Sequence, residues 1–232
     1  MLGLEFYAMG CQMQVLTTAD HPKVTQGLSD LIVGFKQAEQ RFSRFLSDSE
    51  LMQLNQQRSL KVSHEFWQLL QHSLAAARLT QGLITPTIYQ RLIQRGYTVS
   101  FDKLSKYQPS DSRINHTILA DTGGLQPWQH MSVNDKGHEA VLLKDTKLDF
   151  GGFAKVLTAY DTAQTLAHLG TSVLIDAGGD IVTVGNDSAT LTKPWQIALP
   201  SANDVTLSMD EGVFINKQTM NQLLINWQLV SQ

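Results

Sequence analysis

Leu148-Asp149-Phe150-Gly151-Gly152-Phe153-Ala154-Lys155 reads as the end of a strand, a glycine pair and the start of a helix. Glycine lets a backbone come close to a ligand. The free N–H groups of a helix start favour anions such as phosphate. A cation in the first turn opposes the helix dipole, so Lys155 is expected where an anion lies nearby. Asp149 is suited to accept hydrogen bonds from a base or a ribose. It is equally suited to cap the turn, with Lys155 in solvent, and both readings stand at this point.

Downstream of this stretch, Phe153, Leu157, Tyr160, Ala163 and Ala167 keep helical spacing over 152–168, and Gly170 marks the stop. Ser172–Asp176, Ile181–Gly185 and Trp195–Leu199 read as strands, the first two joined through Ala177-Gly178-Gly179-Asp180. Upstream, 117–150 carries turn signals at Asp121–Gly124 and Asn134–Gly137, flanked by short alternating runs, and is expected to form hairpins. Residues 4–17 read as strands broken near Gly10. Apolar residues at spacings of three and four predict a helix over 22–41, after Asp20 and Pro22. Ser47 and Glu50 form a capping box ahead of Leu51 and Leu54. Ser63 caps a helix carrying Phe66, Leu69, Leu70, Leu74 and Ala77, with Gly82 past its end. A shorter helix is expected over about 87–95. Helices group early and strands late, which makes the fold class α+β.

Composition bounds the function. The 232 residues hold 18 Lys plus Arg against 21 Asp plus Glu, a formal charge of −3. That balance disfavours a protein held by charge to nucleic acid or anionic lipid. The 42% hydrophobic and 17% charged content suits an ordinary globular core. No apolar run is long enough for a membrane span. The single cysteine, Cys11, excludes an internal disulfide and a multi-cysteine metal site. MLGLEFYAMGC lacks the basic and apolar regions of a leader, so the sequence as it stands reads as cytoplasmic. A membrane-anchored or periplasmic place is expected only if a leader has been removed.

Two further segments carry side chains suited to ligand binding. Phe42-Ser43-Arg44-Phe45 sets an arginine between aromatics, able to stack a flat ring or approach phosphate, or else to serve the core. Thr85-Pro86-Thr87-Ile88, with Arg95-Gly96-Tyr97, gathers hydroxyls, a guanidinium and an aromatic about one short helix. The seven histidines show no metal-ligand spacing. No nucleophile elbow, Walker loop or dinucleotide fingerprint is present.

In order, these pieces resemble the ApbE family, the FAD:protein FMN transferases. The matching parts are Met9-Gly10 and the S-x-F-x-x-x-S-E-L-x-x-L-N segment at Ser43–Asn55. Ile84–Ile88 with Gly96-Tyr97, the 148–155 segment, Asp176–Gly185 and Pro194-Trp195-Gln196-Ile197 follow. The resemblance implies one ApbE-like, T-fold-related α+β domain over 1–232, with a mixed sheet and helices grouped in the N-terminal half. It implies FAD as substrate and Mg²⁺ as cofactor. FAD is cleaved, FMN passes to a Thr or Ser of an acceptor protein, and AMP leaves. Alternatives on the same scaffold are an FAD pyrophosphatase giving FMN and AMP, and a non-catalytic flavin- or nucleotide-binding protein. By position, Met9, Ser43, Arg44, Phe45, Arg95, Gly96, Tyr97, Asp149 and Lys155 are expected to contact FAD, and the Gly152 carbonyl the metal. The resemblance assigns no catalytic residue.

The chain departs from the family pattern in four places. Thr85 stands where the family has aspartate, and Val156 where it has glycine. Phe214-Ile215-Asn216-Lys217 replaces A-T-S-G after Gly212-Val213. The H-x-x-D-P segment and the A-D-x-x-x-T segment, the latter's Asp and Thr holding the metal in the family, are absent before Gln232, so the domain is expected to be shortened at its C-terminal end.

Overall fold

The computed structural model describes residues 2–94, 96–100, 127–185, 194–198, 206–209, 212–215 and 224–225. Two compact units divide the chain, one made of 1–37 with 155–232 and the other of 38–154.

The first unit is built on an antiparallel sheet. Its strands are β1 (Leu2–Ala8), β2 (Cys11–Thr17), β6 (Val173–Ala177), β7 (Asp180–Val184), β10 (Gly212–Ile215) and β11 (Leu224–Ile225). The spatial order is β1-β2-β6-β7-β10-β11. Met9 and Gly10 alone join β1 to β2, since Ala8 pairs with Cys11. Both have positive φ, 50° and 76°, which is the two-residue turn whose twist matches a hairpin. Strand alternation then sends Met13, Val15, Val173, Ile175 and Val182 to one face, where they are buried with Val24, Leu28, Leu31, Phe35, Ala159, Ala163 and Leu166. Those last side chains belong to α1 (Pro22–Phe42), which runs on into the second unit, and α5 (Ala154–Ala167). Leu174 and Ile181 point the other way and pack with Trp195, Ile197 and Met209 of the β8 (Trp195–Ala198) and β9 (Thr206–Met209) hairpin.

The second unit holds α2 (Glu50–Gln57), α3 (His64–Leu79), α4 (Tyr89–Gln94) and a three-stranded sheet. The sheet order is β3-β5-β4, with β3 Ser59–Lys61, β4 Met131–Asn134 and β5 Glu139–Leu142. Ser63 caps α3 by accepting from Phe66 N–H, as its spacing predicts. The cap of α2 is Ser49 rather than Ser47. Ser49 Oγ accepts from Met52 N–H and donates to Ser43 O at 2.6 Å. Glu50 is drawn away from a capping box because its carboxylate accepts from the backbone N–H and the hydroxyl of Ser63. The expected turn at Asp121–Gly124 lies outside the described residues, whereas Asn134–Gly137 does turn β4 into β5. β3 is too short to carry a period and was not legible in the sequence.

Candidate functional site

Three aromatic rings anchor the local chain in the second unit. Phe150 packs edge-on against Phe66 at 5.2 Å and against Phe42 at 6.1 Å between centroids. All three are buried. Phe42 ends α1 immediately before Ser43-Arg44-Phe45, and Phe150 follows Asp149. The same apolar cluster therefore fixes the two segments that carry charge, and burying each ring contributes on the order of 2–3 kcal/mol.

Between them lies an ion pair. Arg44 Nε is 2.9 Å from Asp149 Oδ2, with side chains 4% and 5% exposed. The guanidinium carbon lies 4.3 Å from the Phe45 ring centre and 4.2 Å from that of Tyr97. The two rings meet edge-on at 5.8 Å. Phe45 and Tyr97 thus stack the protein's own arginine, while Phe45 stays 40% exposed. Arg44 Nη2 is buried without a hydrogen-bond partner among the described residues.

Asp149 is held from three directions. Its N–H donates to Pro86 O at 2.8 Å. Its Oδ1 accepts from Gly151 N–H at 2.9 Å. A Cβ on Gly151 would stand 3.0 Å from that oxygen, so the close turn favours glycine there. Burial pushes the Asp149 carboxyl above its usual range, opposed by the Gly151 N–H and then by Arg44. The Asn55 side chain holds the preceding residue, donating to Leu148 O at 2.9 Å and accepting from Leu148 N–H at 2.7 Å. Asn55 closes the S-E-L-x-x-L-N match, which gives it no role. Its signal was an amide on the apolar stripe of α2 beside Leu51 and Leu54, where a buried amide needs partners.

Gly96 and Ser43 act through the backbone. Gly96, at φ 82°, donates to Ile93 O, and Tyr97 N–H donates to Leu92 O. This closes α4 with a left-handed glycine cap and sets Tyr97 against Arg44. Ser43 Oγ accepts from Phe45 N–H at 3.2 Å. Thr85, in the family's aspartate position, is buried, 2.8 Å from the Thr87 hydroxyl, and accepts from Thr87 N–H. Its hydroxyl supplies a short turn without a charge. Arg95 lies outside the described residues. Gly152 is exposed in the turn before α5.

In the first unit, Lys155 Nζ sits 3.8 Å from Asp180 Oδ2 and donates to Ala177 O at 3.5 Å. An anion beside this first-turn lysine is thus supplied by Asp180, through one long contact, with the Ala177 carbonyl as a second partner. The β6–β7 loop turns through Gly178 and Gly179, at φ 70° and 94°, and Gly179 N–H donates to Asp176 Oδ1 at 2.6 Å. A Cβ on Gly178 would stand 2.7 Å from Cys11 Sγ and 3.7 Å from Lys155 Nζ. Met9, in the β1–β2 turn, packs on the core.

No group of three His, Cys, Asp or Glu side chains able to hold a metal ion occurs among the described residues. No described helix is long and apolar enough to cross a membrane.

The fold is similar to that of solved ApbE structures. The Thermotoga maritima ApbE protein matches with TM-score 0.75 at 22% identity, over 92% of this chain and 69% of that one. The apo Pseudomonas stutzeri flavinyl transferase ApbE matches at 0.72 and 18%, over 90% and 65%. The Vibrio cholerae flavin transferase ApbE matches at 0.70 and 17%, over 92% and 67%. The chain thus spans about two thirds of the length of these proteins. No curated protein matches it significantly. The ApbE family model matches residues 9–220, and the chain belongs to the ApbE family.

Proposed function

We infer that this protein is a flavin transferase that takes FAD as substrate and passes FMN to a Thr or Ser hydroxyl of an acceptor protein. The hydroxyl oxygen would form a new bond to the FMN phosphorus. The pyrophosphate bond to the AMP phosphate would break, the hydroxyl proton would pass to solvent, and AMP would leave. The observation that carries this reading is the held carboxylate of Asp149 within the ApbE family match. A carboxylate so buried and braced is suited to orienting a ligand.

Within the second unit, Asp149, Arg44, Phe45 and Tyr97 are assigned to FAD, with Ser43 and Gly96 setting the backbone that carries them. Met9 and Lys155 in the first unit, and Arg95, keep the assignment that the resemblance implies. Lys155 has only long contacts to its partners and is suited to meeting a phosphate oxygen. Mg²⁺ dependence belongs to the same proposal, with the Gly152 carbonyl as its assigned ligand. The described residues do not gather a side-chain set around that carbonyl, so no step is routed through the metal.

The test is incubation of the protein with FAD and Mg²⁺, with and without an acceptor, followed by chromatography for AMP and FMN. AMP release with FMN bound covalently to the acceptor supports the reading, and AMP with free FMN indicates hydrolysis instead. FAD binding with no AMP under either condition refutes the transferase and leaves a flavin-binding protein.

A further inference from the structure

We propose that Arg44 Nη2 is a substrate-reading donor, and that the group it takes is a neutral acceptor atom on a flat ring of the bound flavin nucleotide. This rests on the FAD reading above. Three observations lead to it. First, the pairing with Asp149 is one-pronged. A guanidinium met from its side offers Nε–H and Nη2–H together, yet only Nε reaches the carboxylate. Second, Nη2 is buried without a partner among the described residues. A buried charged donor left unpaired is costly to keep, and a ligand acceptor would remove that cost. Third, Phe45 and Tyr97 both pack against the guanidinium, with their ring centres only 5.8 Å apart. The arginine is therefore held in place.

The charge of the surroundings selects the ligand chemistry. Asp149 already offsets Arg44, so the pair presents almost no net charge to a newcomer. A phosphate beside Asp149 would meet a carboxylate at close range, whereas a carbonyl oxygen or ring nitrogen meets no such repulsion. Phe45, partly exposed beside Arg44, offers an aromatic surface for such a ring. FAD has two flat rings with neutral acceptors, isoalloxazine and adenine. Both share this chemistry, and the experiment separates them.

The experiment measures FAD affinity of the full chain by calorimetry for the wild type and for Arg44→Lys. Lysine keeps a cation for Asp149 but lacks the second nitrogen of the edge. The expected result is an affinity about tenfold or more weaker, the loss of one charge-assisted hydrogen bond. Riboflavin and adenosine, which carry no phosphate, are titrated in parallel. The one weakened by the same factor identifies the ring. Unchanged FAD affinity in Arg44→Lys overturns the proposal while leaving the FAD reading intact. Failure of both nucleosides to bind wild-type protein at millimolar concentration, with FAD bound, overturns the ring assignment. A wild type that does not bind FAD overturns the FAD reading itself. If the lysine variant fails to fold, nitrogen-15 NMR of the wild-type Arg44 side chain decides. Its Nη–H signals should shift and exchange more slowly on FAD addition, and unchanged signals in FAD-saturated protein overturn the proposal.

Discussion

The side-chain amide of Asn55 bonds both backbone groups of Leu148, donating to its C=O at 2.9 Å and accepting from its N–H at 2.7 Å. The amide acts as a strand partner for one residue, immediately before the carboxylate of Asp149. Asn55→Ala would leave two buried backbone groups unsatisfied, each worth about 1–3 kcal/mol. A loss of about 3 kcal/mol is expected in urea unfolding. Asn55→Asp removes the donor and sets a carboxylate against Leu148 O, so it should cost at least as much. A loss below about 1 kcal/mol for Asn55→Ala would show that solvent takes over these bonds.

Burial raises the Asp149 carboxyl above 3.8, its ordinary value, against the opposing Gly151 N–H and Arg44. The sign of the pH effect follows. The folded protein binds this proton more tightly than the unfolded chain, so stability contributed by the group is fully present below the unfolded pKa. It is lost as pH rises through the window between the ordinary and the raised values. Asp149→Asn does not titrate. The stability of wild type relative to Asp149→Asn should therefore decline as pH rises above about 3.8 and then level off. A relative stability that climbs over this range would show that Arg44 and Gly151 outweigh burial.

Two glycines of the first unit predict opposite signs. Gly34 lies within α1 and has open space where a Cβ would stand. Gly34→Ala should stabilise by about 0.5–1 kcal/mol, through helix propensity and a less free unfolded chain. Gly178 has φ 70°, and an added Cβ would stand 2.7 Å from Cys11 Sγ and 2.9 Å from its Cβ. Gly178→Ala should destabilise by about 1–3 kcal/mol from strain and overpacking. Thermal melts of the two variants check both signs.

Gly96 is a cap whose consequence reaches a neighbour. Gly96→Ala forces a side chain at φ 82°, with about 1 kcal/mol of strain. The strain falls on the residue that sets Tyr97 against Arg44. A modest fall in melting temperature with a larger fall in FAD affinity is expected. Tyr97→Phe keeps the ring and should bind FAD within about twofold of wild type, because ring stacking rather than the hydroxyl holds Arg44. A loss as large as that of Gly96→Ala would assign the hydroxyl a role of its own.

Local rules made much of the fold legible. The spacing of Leu28, Leu31, Phe35 and Ala38 predicts α1, Ser63 predicts the start of α3, and Met9-Gly10 sits where the first strand pair turns. These features lie within a few residues of their causes. The reading failed where a distant residue competed. Glu50 suited a capping box with Ser47 but bonds Ser63, thirteen residues on. Asn55 reaches Leu148 across 93 residues. The candidate site was half legible for the same reason. Residue types and segment order pointed to Arg44, Phe45, Tyr97 and Asp149. Spacing alone did not show that the aromatics stack Arg44, or that Asp180 supplies the anion beside Lys155.

Titration of FAD into wild-type protein and into Asp149→Ala tests the account most directly, with circular dichroism establishing that both are folded. Asp149 is the group on which Arg44, Gly151 and Pro86 converge. The account predicts saturable FAD binding by the wild type and a loss of about tenfold or more in folded Asp149→Ala. Equal affinity of the two proteins would contradict it.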